Sequence, residues 1–390
     1  MLKISLALVL AAAIGLSGWH FIPIFKPFPK PTGTYPVGLT TLELQDTDRK
    51  EQFSDNPEDA RGLVIRIYYP ATLTTHAKRR IYLEKEQPYI VPFIVQLLAA
   101  NYHINIPHWL AAKMISNIHT YAYQEVPVSD KQKNYPVILI SHGLLGSIGA
   151  MYAAISEEVA SHGYMVISID HSYLSLLTVF PNGKVITSQK LNQKFQKLSA
   201  QEQYDFTASA IEIYKKDVQF VLDQLALINE DPESIVYHHL DLDRIGVMGH
   251  SAGGTTAIEI SKIDKRVKAA IDLDGWYENV ISYDPIPVPL LLMFGSKSIE
   301  VTEPSQEYLT RKGITKEQYY DREKKIAAHK EELCQKSKDC QMIIIPNASH
   351  GDFGDFALAK WPLGQWNSAD SYTLKLINTH IVKFFDQHLN

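Results

Sequence analysis

Cysteine is nearly absent: the 390 residues hold two, Cys334 and Cys340. That excludes a disulfide-stapled scaffold, and without a neighbouring His pair the two sulfurs make a poor metal site. The His-Glu-x-x-His zinc signature is missing as well. Positive charge is not in surplus. Lys and Arg number 38 against 43 Asp and Glu, a net −5 with a pI near 6.3, and a nucleic-acid partner would need a basic face. Internal repeats and low-complexity tracts are also missing. What remains is 45% hydrophobic and 21% charged, an ordinary composition for a globular chain with a large core.

The first apolar run is not read as fold. Lys3 precedes Ile4 to Leu16, a pattern of the apolar centre of a secretory signal. Apolar character resumes through Trp19 and Phe21 to Phe25, so an uncleaved segment is also long enough to cross a bilayer. Residues 1–25 are therefore expected to be a signal peptide or an N-terminal membrane anchor. The chain would be exported: secreted, periplasmic or held at the membrane. Residues 26–36, with Pro27, Pro29, Pro31 and Pro36, are expected to form a stiff extended tether. In an exported chain Cys334 and Cys340 are expected to pair locally.

From residue 37 onward the pattern alternates β and α. Strand-like runs fall at 37–45, 62–69, 136–141, 164–169, 244–249, 267–273, 288–295 and 341–346. From the third onward they are short, apolar and rich in β-branched residues, as strands buried on both faces must be. Helical patterns at 148–162, 203–228 and 371–388 separate or follow them. This predicts an α/β-hydrolase fold over 37–390: an eight-stranded, mostly parallel sheet with helices on both faces. Two insertions interrupt it, at 71–130 and at the Lys- and Glu-rich 297–340.

The chemistry centres on Gly249-His250-Ser251-Ala252-Gly253-Gly254, directly after an apolar run. Gly-x-Ser-x-Gly between a strand and a helix is a nucleophile elbow, where a strained turn lifts the serine clear of the sheet edge. Ser251 then needs a base and a carboxylate that orients the base. His350, in the loop after the last strand, is the expected base. For the acid, Asp274 stands outermost after the sixth strand, Asp272 lies deeper on the same face and reads as structural, and Glu300 follows the seventh strand. Asp274 is favoured by its place at the carboxyl edge. The oxyanion hole needs one N–H from the residue after the nucleophile, Ala252, and one from the glycine-rich loop Ser141-His142-Gly143-Leu144, where Leu144 is the candidate. His142, His171 and His250 at strand ends read as scaffolding. No metal or cofactor is required.

These stretches together resemble the calcium-independent platelet-activating-factor acetylhydrolases of the plasma type. The resemblance runs through Ser141-His142-Gly143-Leu144, Ala160-Ser161-His162-Gly163, Gly249 to Gly254, Leu273-Asp274-Gly275-Trp276 and the His350 loop ending Asp352-Phe353-Gly354-Asp355-Phe356. Pro31 to Gly38 looks like that family's first strand. The resemblance implies that the acid is Asp274 and that the oxyanion donors are Leu144 and Ala252. It also implies a membrane-contacting helix in the 71–130 insertion, where Trp109, Leu110 and Met114 are expected to be exposed to lipid. Ala252 departs from the bulky aromatic common at that place, and the 297–340 insertion is longer, so acyl preference does not carry over.

The implied activity is hydrolysis of phospholipids with short or oxidised sn-2 acyl chains at a membrane or lipoprotein surface. The alternatives are a general carboxylesterase or polyester or cyclic-ester hydrolase on the same machinery, and a silent hydrolase fold used for binding.

Overall fold

The computed structural model describes residues 26–116, 118–275, 281–282, 284–359 and 371–390. The expected signal or anchor at 1–25 and Trp276 lie outside them. Strands β1 (Val37–Lys50) and β2 (Ala60–Pro70) pair as an antiparallel hairpin. The 71–130 insertion follows, with β3 (Arg79–Ile81), helices α1 (Gln87–Tyr102) and α2 (His108–Ile115), and β4 (His119–Gln124). Then come β5 (Tyr135–Ser141), α3 (Ala153–Ser161) and β6 (Met165–Asp170). A small hairpin of β7 (Leu177–Val179) and β8 (Val185–Thr187) leads into α4 (Gln189–Phe195) and the long α5 (Ala200–Glu230). The second half runs β9 (Leu240–His250), α6 (Ala252–Ile263), β10 (Val267–Leu273) and β11 (Leu290–Gly295). Helices α7 (Gln306–Lys312) and α8 (Lys316–Lys336) make the second insertion, before β12 (Cys340–Ile345) and α9 (Ser371–Leu389).

The main sheet has ten strands in the order β12-β11-β10-β9-β5-β6-β2-β1-β4-β3, not the expected eight. The two extra strands come from the 71–130 insertion, with β4 running parallel to β1 and β3 antiparallel to β4 at the far edge. Six strands, β6-β5-β9-β10-β11-β12, are parallel neighbours. Alternate residues of each strand serve opposite faces. Ile138, Ile140, Met248, Ile271 and Leu291 pack with α3 and α9 on one side. Val137, Leu139, Val247, Ala270 and Leu290 pack with α5 and α6 on the other. The chain turns from β5 to β6 on one side and then crosses to β9 on the other, so β5 and β9 flank the switch point. Ligands of open α/β sheets bind at the carboxyl ends of the strands there.

Residues 26–36 are docked rather than free. Phe28 is 4% exposed and packs on Tyr82. Thr32 N–H donates to Glu158, Gly33 N–H to Ser161 Oγ, and Tyr35 N–H to the Ser161 carbonyl. Proline supplies extension without backbone donors, and three of the N–H groups that follow Pro31 find partners on the end of α3. The mostly exposed α8 buries His329 and Leu333.

Candidate active site

The turn after β9 is strained where the motif requires it. Ser251 has φ 57° and ψ −121°, a conformation rarely tolerated by a residue with a side chain. It persists because the surroundings hold both ends: Ser251 N–H donates to Leu273 O at 3.1 Å, and Thr255 N–H donates to Ser251 O at 3.1 Å. A Cβ on Gly249 would fall on the Gly253 backbone, and one on Gly253 would fall on Ser141. The strand, turn and helix thus close on each other with room for hydrogen only. Ala252, the first residue of α6, carries a backbone N–H that no helical carbonyl can reach.

His350 comes from the loop after β12. Its Nδ1 lies 2.6 Å from Asp274 Oδ2, and the other carboxylate oxygen, Oδ1, accepts Gly295 N–H at 2.8 Å. Burial works against ionisation of Asp274, but the bonds from His350, Gly295 and Ser298 outweigh it and hold the carboxyl below its ordinary value. Facing a carboxylate, Nδ1 of His350 carries the proton, which leaves Nε2 as the basic nitrogen. Glu300, the alternative acid, is exposed. Asp272 is fully buried two residues inside Asp274, and one of its oxygens accepts Gly275 N–H at 2.8 Å. Burial pushes its carboxyl far up. Two carboxyls two residues apart are therefore pushed in opposite directions.

The loop after β5 supplies the other side. The Gly143 carbonyl accepts from His142 Nδ1 at 2.8 Å and from Ser147 Oγ at 3.1 Å. Both lone pairs are thereby used, and in a trans peptide the Leu144 N–H must point the opposite way. Gly143, Leu144, Ser147, Met151, Tyr152, His250, Ser251, His350 and Phe356 line one cavity of 240 Å³. Ser251, His350 and the Gly143–Leu144 loop face it, with Asp274 behind His350 and the Ala252 N–H at the start of the helix that follows Ser251. That set can move a proton off a hydroxyl and hold an oxyanion. Among the described residues no group of three or more His, Cys, Asp or Glu could hold a metal ion.

The three scaffold histidines are each hydrogen-bonded. His171 bridges Ser141 Oγ at 3.1 Å and Asp217 at 2.9 Å, stacked on Tyr214. His142 and His250 border the site. Sequence reasoning did not single out Tyr152 or Ser147; an aromatic hydroxyl at the start of the helix after the oxyanion loop was the available signal. Trp109 is 59% exposed. Leu110 is half-buried against the core, and Met114, 8% exposed, belongs to the core itself. That corrects the expectation of an exposed Met114: Trp109 and Met114, five residues apart, lie on different faces of the two-turn helix α2. Cys334 and Cys340 are joined as a disulfide.

Fold and site together define an α/β hydrolase of the serine-esterase class. A family model described as platelet-activating factor acetylhydrolase, isoform II, matches residues 25–390, and the chain belongs to that family. It is 28% identical over 295 residues to the platelet-activating factor acetylhydrolase of Canis lupus familiaris, an alignment covering 68% of this chain and 59% of that protein. Against the Bos taurus protein of the same name it is 26% identical over 387 residues, covering 90% of this chain and 72% of the other. A solved ferulic acid esterase from Streptomyces cinnamoneus shares the fold, with a TM-score of 0.65 at 21% identity over 93% of each chain.

Proposed function

We propose that this chain hydrolyses the sn-2 ester of phospholipids with short or oxidised acyl chains, with Ser251 as nucleophile, His350 as base and Asp274 as its orienting acid. The observation that carries the reading is the convergence of Ser251, the His350–Asp274 pair and the Gly143–Leu144 loop on one cavity of 240 Å³. Ser251 Oγ attacks the ester carbonyl while His350 Nε2 takes its proton. The oxyanion is held by the N–H groups of Leu144 and Ala252. His350 then returns the proton to the departing lysophospholipid oxygen, and water repeats the cycle on the acyl-enzyme. The relatives named as platelet-activating factor acetylhydrolases support the substrate class.

The chain is read as exported and acting at a membrane or lipoprotein surface. The Ile4–Leu16 run and the paired cysteines support export, and the exposed Trp109 supports the surface. Two free thiols in freshly exported protein, seen by mass spectrometry without reductant, would remove the second support for export.

The deciding experiment compares a soluble p-nitrophenyl ester with vesicles of short-acyl phosphatidylcholine. Efficient turnover of both is expected, with Ser251→Ala inactive on each and unlabelled by an organophosphate. Turnover of the soluble ester alone would leave a general esterase instead.

A further inference from the structure

We propose that Tyr152 and His250 form a hydrogen-bonded strut that fixes the base loop against the oxyanion loop, and that both are positioning residues for ester hydrolysis. The inference rests on the site assignment above. Its parts are three contacts in series. Gly143 N–H donates to Tyr152 Oη at 3.3 Å, Tyr152 Oη lies 2.8 Å from His250 Nδ1, and His250 Nε2 lies 2.8 Å from the carbonyl oxygen of His350.

The proton positions along this line follow from chemistry. A carbonyl oxygen only accepts, so His250 Nε2 carries the hydrogen. In a neutral ring Nδ1 is then an acceptor, so the Tyr152 hydroxyl donates to it. That leaves the lone pairs of Tyr152 Oη for the Gly143 N–H and for the Ser147 hydroxyl, whose Oγ lies 3.2 Å away and also reaches the Gly143 carbonyl. Along the line from Gly143 to His350 each donor then meets an acceptor with His250 neutral. Burial first, and then the nearby His350, push the His250 imidazole far below its ordinary range. The ring sits between the rings of His350, 4.5 Å away, and Phe353, 6.3 Å away and stacked.

The two ends of the strut are the two places where catalysis is sensitive to direction. At one end the Gly143 amide is held, next to the peptide whose N–H belongs to Leu144. At the other the main chain of His350 itself is held. The start of α3 ties the same parts a second time: Asp355, five residues past His350, accepts the N–H groups of Ala153 and Ala154 at 3.0 Å each. Tyr152 therefore stands at a fixed point between both loops. Because His250 donates to the backbone and not to the imidazole of His350, it leaves the His350 ring free to take and return a proton.

Removing the hydroxyl with Tyr152→Phe keeps the ring that packs the cavity wall and cuts the strut at its centre. A displacement of about 1 Å in such a constellation costs up to roughly 100-fold in rate. On a soluble p-nitrophenyl ester kcat is expected to fall about 10- to 100-fold with KM within a factor of about two, because the loss lies in the transition state. His250→Phe should match it. His250→Gln, whose amide can still donate to the His350 carbonyl, should recover part of the loss. The double variant Tyr152→Phe/His250→Phe should be little worse than either single one, since both cut the same line.

Unchanged kcat in Tyr152→Phe, a raised KM with unchanged kcat, or effects that multiply in the double variant would each overturn the strut. If Tyr152→Phe fails to fold, the comparison of His250→Gln with His250→Phe reads the same link, and equal loss in both would overturn it. Ser251→Ala runs alongside. Activity persisting there would sink the site assignment itself, whereas an inactive Ser251→Ala beside a fully active Tyr152→Phe would sink the strut alone.

Discussion

Asp272 and Asp274 show how little of a carboxyl's role lies in its own chemistry. Both project from the end of β10, two residues apart. Asp274 meets the His350 ring and the Gly295 amide and stays ionised, while Asp272 meets one backbone N–H in an apolar setting, and burial pushes its carboxyl far up. Asp274→Asn should therefore lower kcat by about four orders of magnitude, the scale on which a triad loses its charge partner. Asp274 has φ 54°, a conformation asparagine tolerates better than most residues, so this variant removes charge without adding backbone strain. Asp272→Asn keeps the shape of a side chain that touches neither His350 nor the cavity and should keep kcat within a few-fold. Glu300→Gln, on an exposed side chain, should change nothing measurable. Steady-state kinetics on a soluble ester check all three; a large loss in Glu300→Gln with little in Asp274→Asn would move the acid to the seventh-strand loop. At this scale the sequence is legible where chemistry forces a residue type. Gly249 and Gly253 mark the elbow because nothing larger than hydrogen fits between strand and helix. Tyr152 leaves no mark of that kind, since the role proposed for it depends on the three groups the fold brings within 3.3 Å of its hydroxyl, and spacing along the chain does not carry that.

At the scale of elements, α3 acts as a clamp made from buried carboxyls. Glu157 accepts the N–H groups of Tyr121 and Ala122 at 2.9 Å each, pinning β4 to the helix. Asp355 caps the other end of α3. Burial raises both carboxyls, each to about 7, against the opposing pull of those N–H donors. A carboxyl raised in the folded state holds its proton where the unfolded chain has lost it. Its contribution to stability is complete below the unfolded value near 4 and is lost as pH rises toward 7. Thermal melts should accordingly fall between pH 5 and pH 8, and Glu157→Gln, neutral throughout, should flatten that fall. Parallel pH profiles in the two proteins would refute it. Asp217 runs the other way. Although burial opposes it, Arg61 and His171 hold it well below the usual range, so its contribution is lost only as pH falls below about 4, outside the window tested. The pattern of elements was readable for the central strands, whose continuous apolar runs admit one solution. It was not readable for β3 and β4. His119 to Gln124 alternates without strong apolar character, and these strands owe their place to the edge of β1 and to Glu157.

On the scale of the whole molecule, the proposed action on phospholipids asks how a cavity at the sheet's carboxyl edge would meet a substrate packed in a bilayer. Helices α1 and α2 pack on each other and form one flank, where α1 borders the β7–β8 hairpin. Gln87 Nε2 of α1 donates to the Ala112 carbonyl of α2 at 2.7 Å and locks the pair together. Tyr89, Pro92 and Phe93 of α1 share a groove with Leu176 and Leu177, and Leu176 N–H donates to the carbonyl of Ser147, which lines the catalytic cavity. Tyr89 is 43% and Trp109 59% exposed on this flank. Aromatic rings with a polar edge sit well at the depth of lipid headgroups. The inward face of both helices is spent on the core, through Ile90, Ile94 and Leu98 of α1 and Ala111, Met114 and Ile115 of α2. Among the described residues, Tyr89 and Trp109 are the exposed large hydrophobic side chains of these two helices, which makes a single substitution the clean test. If this flank meets lipid as proposed, Trp109→Ser should weaken binding to phosphatidylcholine vesicles several-fold and slow vesicle hydrolysis in step, while leaving kcat/KM on a soluble ester within about twofold. Leu110→Ser, by contrast, cuts into the half-buried side and should lower the melting temperature as well. Co-sedimentation with vesicles and parallel assays on the two substrates decide between them. Equal loss on both substrates in Trp109→Ser would make that residue part of the fold's packing, and the lipid-facing flank would have to be sought elsewhere on the molecule.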